Sequence, residues 1–300
     1  MTVNASPSAS VDVLVIGEAI MDIVDDGSAW TEHPGGSPAN VAVGVGRRGL
    51  DVAFRTDIGR DPRGSRIVRH LERSGVHVLS ESFSDRPTST ATARIAPDGS
   101  ASYVFDVRWN LTPAPLPLRA TLVHTGSIAA FLEPGRRSLI EHLDAAQPQI
   151  VTVDPNIRPA LLGSHAETRA DFEELAERAD IVKMSDEDAA WLYPELTPDE
   201  IGSHVVRLGP RLAVLTLGSE GAVLTTPELQ RVEPSVPTTV VDTIGAGDTY
   251  MSSLIVDILG LADRPLDEAT LTMLGRRAAQ AASITVSRPG ADLPWTHEIR

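Results

Sequence analysis

Asp242-Thr243-Ile244-Gly245-Ala246-Gly247-Asp248 is the stretch on which the reading of this chain turns. It follows the β-branched run Thr238–Val241 and leads into Met251, Leu254, Ile255 and Ile258, the i, i+3, i+4, i+7 stripe of a helix. The pattern predicts a strand over 236–241, a glycine turn, and a helix over 248–260. The first amides of a helix have no intrahelical partners and carry the positive end of its dipole, so the turn is a natural anion site. Two glycines let the backbone approach a ligand closely. Asp248 would repel a bound phosphate, so its presence points to a base placed beside a phosphoryl group. The plain alternative is a glycine turn with Asp248 as a helix cap.

Working outward, strands are expected at 121–126, 149–153, 180–184 and 212–217. Helices are expected at 136–146, 167–178, 186–192, 198–207 and 268–286. Such alternation implies an α/β fold, a mostly parallel sheet with helices on both faces. Ligands in such sheets sit beyond the carboxyl ends of the strands. Gly17–Asp22, Asp154–Arg158, Lys183–Asp188, Gly218–Gly221 and Asp242–Asp248 all fall there. Val11–Gly17 reads as a strand ending at glycine. Ser37-Pro38 opens a helix to about Gly49, with Ser37 as cap and Pro38 at the first helical position. Between Ser89 and Phe105, two β-rich runs flank Asp98-Gly99, a hairpin signal. A small sheet is expected to project there and to pair with Val24–His33. The expected organisation is a disordered tail at 1–10 and one domain over 11–300, with lid segments at about 24–34 and 88–106.

Composition narrows the function classes. The net charge of −15 argues against nucleic acid or an anionic membrane as partner. A polyanionic substrate then needs local positive potential, from a metal cation and helix N-termini. The absence of cysteine excludes thiol catalysis, disulfides and Cys-zinc sites. No apolar run approaches the roughly 20 residues of a membrane span. The small, polar first ten residues do not read as a signal peptide, so a cytoplasmic protein is expected.

Three further motifs matter. Gly35-Gly36-Ser37-Pro38-Ala39-Asn40 offers close backbone approach, with Asn40 supplying both a donor and an acceptor suited to sugar hydroxyls. Asp154-Pro155-Asn156-Ile157-Arg158 is a polar cluster after a strand, and Arg158 supplies charge that the acidic chain otherwise lacks. Thr216-Leu217-Gly218-Ser219-Glu220-Gly221 is a second glycine turn, which a tight hairpin would equally produce. Gly44-Val45-Gly46-Arg47-Arg48-Gly49 matches G-x-G-x-x-G literally, but it lies inside a helical stretch far beyond the preceding strand. That context argues for packing glycines and against a nicotinamide dehydrogenase.

In this order, the motifs resemble those of the PfkB (ribokinase-like) family of carbohydrate kinases. The resemblance runs from Val11 to Pro294 and rests on Gly-Gly-x-x-x-Asn and Asp-Thr-x-Gly-Ala-Gly-Asp. It implies a ribokinase-like three-layer sandwich with a small β-sheet lid. It makes Asp248 the catalytic base and the amides of Gly245, Ala246 and Gly247 the anion hole. Asp22, Gly35, Gly36 and Asn40 match sugar-binding positions. Thr216, Gly218 and Gly221 match a nucleotide-binding turn, and Lys183 and Ser185 stand on the strand end that helps organise phosphate. Ser185 and Asp188 occupy the positions of an Asn-x-x-Glu element, which leaves Glu187 and Asp188 both as Mg2+ candidates. Asp242, Ser287 and Gly290 match a monovalent-cation site, for which K+ is expected. Arg108 and Arg158 are further substrate candidates. Gly17-Glu18-Ala19, the 154–158 cluster and Lys183-Met184-Ser185-Asp186-Glu187 look most like fructokinases. A 2-keto-3-deoxygluconate kinase, a ribokinase or nucleoside kinase of the same fold, or a non-catalytic sugar-binding protein are the alternatives. The apolar lid face at Ala91, Ala93 and Ile95 points to a homodimer.

Overall fold

Successive residues of a strand face opposite sides of its sheet. In β1 (Ala9–Ile16), Val13 and Val15 enter one apolar cluster, while Leu14 and Ile16 enter another. Both faces of the sheet are therefore covered, as in parallel sheets generally. The computed structural model describes residues 9–25, 27–95, 101–111, 118–261 and 264–299.

After β1 come β2 (Ile20–Asp25), β3 (Trp30–Gly35), α1 (Ser37–Arg47), β4 (Val52–Arg55), β5 (Ile58–Gly59), α2 (Pro62–Arg73), β6 (Val76–Val78) and β7 (Phe83–Ser84). The hairpin strands β8 (Thr90–Ile95) and β9 (Ala101–Asp106) follow. The chain then alternates through β10 (Leu118–Gly126), α3 (Gly135–Ala146), β11 (Ile150–Asp154), α4 (His165–Ala176), β12 (Ile181–Ser185), α5 (Asp186–Leu192), α6 (Pro198–Leu208) and β13 (Leu212–Thr216). It closes with β14 (Ala222–Thr225), β15 (Gln230–Glu233), α7 (Ala246–Leu261) and α8 (Glu268–Val286).

The main sheet has nine strands in the order β15-β14-β13-β12-β11-β10-β1-β4-β6. Its pairs from β6 to β13 are parallel, and β14 and β15 are antiparallel. Residues of α1, α2, α7 and α8 pack on one face, and residues of α3 to α6 on the other, giving three layers. The separate four-stranded sheet β3-β2-β8-β9 is the lid. It pairs the two segments expected from sequence, with β2 and β3 together reaching from 20 to 35. The Asp98-Gly99 turn and the 1–8 part of the expected tail lie outside the described residues.

Four expectations change. The run 236–241 is not a strand: Val240 and Val241 are exposed, and the amides of Val241 and Asp242 donate to Val286 O at the end of α8. Pro234 and Pro237 interrupt any ladder there, and β14–β15 already occupy the sheet edge. The turn after β13 is the hairpin into β14, the alternative that the sequence left open, and the edge strands β14 and β15 were not anticipated. Ser10 belongs to β1 and not to a tail. Gly36 caps α1, so Ser37 stands inside the helix and its hydroxyl is released for other work. Gly44 and Gly46 lie within α1, where a Cβ would overlap Ser252 and Ser74 respectively, as packing glycines require.

Candidate active site

The first turn of α7 meets the first turn of α1. Asp248 accepts hydrogen bonds from Ser37 Oγ at 2.6 Å and from Asn40 Nδ2 at 2.8 Å, across 211 and 208 residues of sequence. Asp248 is therefore held by another helix and is not a cap of its own. Burial raises its pKa above the ordinary carboxylate range, against the lowering effect of those two bonds and of Lys183 and Arg158.

The path into α1 explains Gly35-Gly36. A Cβ at 35 would overlap Asp22 Oδ2, and Gly36 has φ 103° with Glu18 O 2.7 Å from where a Cβ would stand. Only glycine lets β3 close against these groups and turn into the helix. Asp22 thus faces the same region as Asp248. Burial, offset by Arg158 and aided by Asp248, pushes its pKa up to about 6.

Glu18, buried just beyond β1, is a candidate to which the sequence reading gave no role beyond the Gly17-Glu18-Ala19 motif. Its Oε2 accepts from Ala129 N at 3.0 Å, it bonds Ser127, and burial pushes its pKa up to about 7. The available signal was a carboxylate directly after a strand-ending glycine. Ser127 and Asn156 have φ of 55° and 40°, and Asn156 Nδ2 donates to Ser127 Oγ at 3.3 Å. Such conformations cost on the order of 1–3 kcal/mol each and cluster at functional sites. Folding raises the Glu18 pKa from 4.5 to about 7, so the folded state keeps a proton that the unfolded chain has lost between those values. The stability this group contributes is full below 4.5 and is lost as pH rises through about 7. Glu18→Gln is expected to be more stable than the parent at pH ~8, with the gain vanishing toward pH ~4. Urea unfolding at both pH values checks this, and an equal difference at both would refute it.

At the ends of β11 and β12, Lys183 Nζ donates to Asp154 Oδ2 at 2.8 Å, and both side chains are buried. Burial pushes Asp154 up to about 6, with Lys183 opposing and Asp188 and Asp248 adding to the rise. A Cβ at 247 would stand 2.8 Å from Lys183 Nζ, so the ammonium lies against the α7 turn. Both oxygens of Asp188 are engaged: Oδ1 by Ile157 N at 2.7 Å and Oδ2 by Ser185 N at 3.0 Å. Ser185 Oγ in turn accepts from Asp188 N, completing a capping box for α5, while Glu187 is exposed.

Thr216 ends β13, and Gly218 and Gly221 bound the turn beyond it. An open cleft of about 610 Å³ lies there, lined by Asp186, Asp199, Leu217, Gly218, Ser219 and Glu220. Asp242 accepts from Ile244 N at 3.0 Å and Gly290 N at 2.8 Å, so the structure joins it to the loop that Ser287 opens. Arg158 reaches Glu18, Asp22 and Asp248 electrostatically. Arg108 instead lies 3.7 Å from Asp106 at the exit of the lid, its side chain half exposed. Among the described residues, no three His, Cys, Asp or Glu side chains group as a metal site, and no helix is long and apolar enough to cross a membrane.

The pfkB family carbohydrate kinase model matches residues 11–298. The chain belongs to this family. Within it, the fructokinase of Rhizobium leguminosarum bv. trifolii is 31% identical over 259 residues, covering 82% of this chain and 79% of that protein. A fructokinase double mutant from Vibrio cholerae O395, with fructose, ADP and potassium ion bound, aligns with a TM-score of 0.83 at 25% identity, covering 99% of this chain and 98% of that one. Aminoimidazole riboside kinase from Salmonella enterica aligns with a TM-score of 0.82 at 25% identity, covering 96% and 97%. The three-layer body with its small lid is the ribokinase-like architecture expected from sequence.

Proposed function

We propose that the protein is an ATP-dependent sugar kinase that phosphorylates a primary hydroxyl of fructose. The observation that carries this reading is the Asp248 carboxylate, held by Ser37 and Asn40 at the start of α7 in a chain of this family. The fructokinase relatives favour fructose over ketodeoxygluconate, ribose or a nucleoside.

Asp22, Asn40 and the Gly35-Gly36 backbone hold the sugar beside Asp248, with Arg158 balancing the acidic pocket. The hydroxyl oxygen attacks the γ-phosphorus as its proton passes to Asp248. The new O–P bond forms, the bond to the β,γ-bridging oxygen breaks, and ADP leaves with that electron pair. The amides of Gly245, Ala246 and Gly247 stabilise the charge on the transferring group. The acidic rim of Asp186, Asp199 and Glu220 disfavours phosphate, so the nucleoside end of ATP occupies the cleft lined by Leu217 and Gly218, within the turn that Thr216 and Gly221 bound. Its phosphates run toward Lys183 and Ser185.

Mg2+ ordinarily keeps several waters and uses one or two carboxylates plus substrate phosphates. The residues present fit that pattern. Of the two candidates, Glu187 is the exposed carboxylate that would hold it, Asp188 being engaged as a brace. When bound, the ion supplies charge neutralisation on the phosphates. K+ would be held by Asp242 and the Ser287–Gly290 loop.

The lid is latched to the body. Glu32 Oε1 accepts from Arg63 Nε at 2.9 Å and Nη2 at 2.7 Å, and Oε2 accepts from Arg66 Nη1 at 2.7 Å. A closed lid excludes water from the phosphoryl group. Glu32→Ala is therefore expected to raise sugar-independent ATP hydrolysis by a few-fold, about the scale of a gating effect. Phosphate release without sugar measures it, and an unchanged rate would separate the latch from gating.

The strand register puts Val24, Ala91, Ala93 and exposed Tyr103 on the Asp22 face of the lid, opposite buried Met21 and Ile23. That apolar face is our candidate for a homodimer contact, and a monomeric mass in solution would rule it out. A cytoplasmic enzyme is the setting we favour. Turnover over a sugar panel with ATP, Mg2+ and K+ tests the whole reading. Preference for an acid sugar would move it to a ketodeoxygluconate kinase, and no turnover with any sugar would overturn it.

A further inference from the structure

Lys183 and Asp154 are more than part of the core. A lysine ammonium has three donors, and Lys183 Nζ spends one on Asp154 Oδ2 at 2.8 Å. Both side chains are almost fully buried, at 4% and 2% exposure. Burying an ion pair is costly, and an apolar pair of similar volume is often as stable or more so. Stability alone therefore gives a weak account of this pair. Its position gives a stronger one. The ammonium lies so close to the Gly247 backbone that a Cβ there would stand 2.8 Å from it. Gly247 is one of the amides assigned to the anion hole. Asp248, the next residue, and Asp188 also act on Lys183, so one ammonium serves a converging set of carboxylates.

We propose that Lys183 is a catalytic residue that donates to the transferring phosphoryl group from beneath Gly247, and that Asp154 is the positioning residue that aims it. This rests on the kinase reading above. It distinguishes Lys183 from a group that merely binds ground-state ATP. As the O–P bond forms to the sugar and the bond to the ADP oxygen breaks, charge spreads over the three equatorial oxygens, and a fixed ammonium stabilises that state more than the bound nucleotide. A free lysine side chain samples many rotamers, so the Asp154 bond supplies preorganisation.

The test uses the full-length protein with fructose, ATP and Mg2+. Lys183→Met is expected to lower kcat by about 10² to 10³, the loss typical of one oxyanion donor. KM for fructose and affinity for a non-hydrolysable ATP analogue, by calorimetry, should change less than about threefold. Binding of ADP with aluminium fluoride and fructose, a mimic of the planar phosphoryl group, should weaken in step with kcat. Asp154→Asn should show the same split with a smaller loss. The double variant Lys183→Met/Asp154→Asn removes both members of the buried pair together and guards against misfolding. It should be no slower than Lys183→Met alone, because Asp154 acts through the lysine. Multiplied losses in the double variant, or turnover within about threefold of the parent, would overturn the proposal. So would equal weakening of the ATP analogue and of the mimic. If the unmodified protein phosphorylates no sugar, the kinase reading itself has failed; an active parent with an active Lys183→Met variant sinks only this inference.

Discussion

Asp248→Asn is expected to lower kcat by a factor of about 10² to 10⁴, the usual contribution of a positioned base. The variant keeps the volume and much of the bonding, since Ser37 and Asn40 can each accept as well as donate. It also removes a buried charge whose pKa burial already raises, so folding should survive. Fructose affinity by calorimetry should hold within a few-fold while turnover collapses. Retained turnover would end the base assignment. In the parent enzyme, the same raised pKa means that Asp248 stays protonated, and unable to accept, at pH values where an exposed aspartate is ionised. Activity should therefore fall on the acid side with a midpoint above the ordinary aspartate range, and the Asn variant should lose that limb.

Gly247→Ala comes next in expected effect after Asp248→Asn and Lys183→Met. Alanine in a helix is favoured over glycine by roughly 0.5–1 kcal/mol, so propensity alone predicts a more stable protein. The new Cβ, however, would stand 2.8 Å from a Lys183 ammonium pinned by Asp154. The ammonium must shift, and the proposed anion hole with it, which should cost about 10² in kcat. Gly260→Ala in the same helix is the control, because among the described residues a Cβ there meets nothing within 4 Å. It should leave activity unchanged. An active Gly247→Ala enzyme would show that the space beside Lys183 is not needed for transfer.

Much of the body was legible because its signals are local. The alternation from β10 to α8 follows apolar periodicity and caps, and the expected helices match the observed ones within a few residues. Gly35, Gly36, Asn40, Arg158 and Asp248 fell at strand ends or helix starts, where α/β sheets gather their ligands, and the structure brings them to one region with Asp22 from within β2. The run 236–241 misled because β-branched composition describes a residue's comfort in a strand but not whether an edge is free to receive it. The lid was legible as a hairpin expected to pair with 24–33, but the strand order β3-β2-β8-β9 needed the topology.

The sequence by itself determined the layered α/β fold, the glycine turn opening α7, and an acid placed beside the turn that we propose as an anion cradle. Periodicity, glycines and charge are properties of neighbours along the chain. Only the tertiary structure decided which groups surround that acid. Ser37 left its expected capping task to bond Asp248 across 211 residues. Asp188 turned inward to brace Ile157 and Ser185. Gly247, read as room for a ligand, also makes room for the Lys183 ammonium. These contacts join strand ends and helix starts far apart in sequence, and only the packing of the sheet and its two helical layers sets their distances.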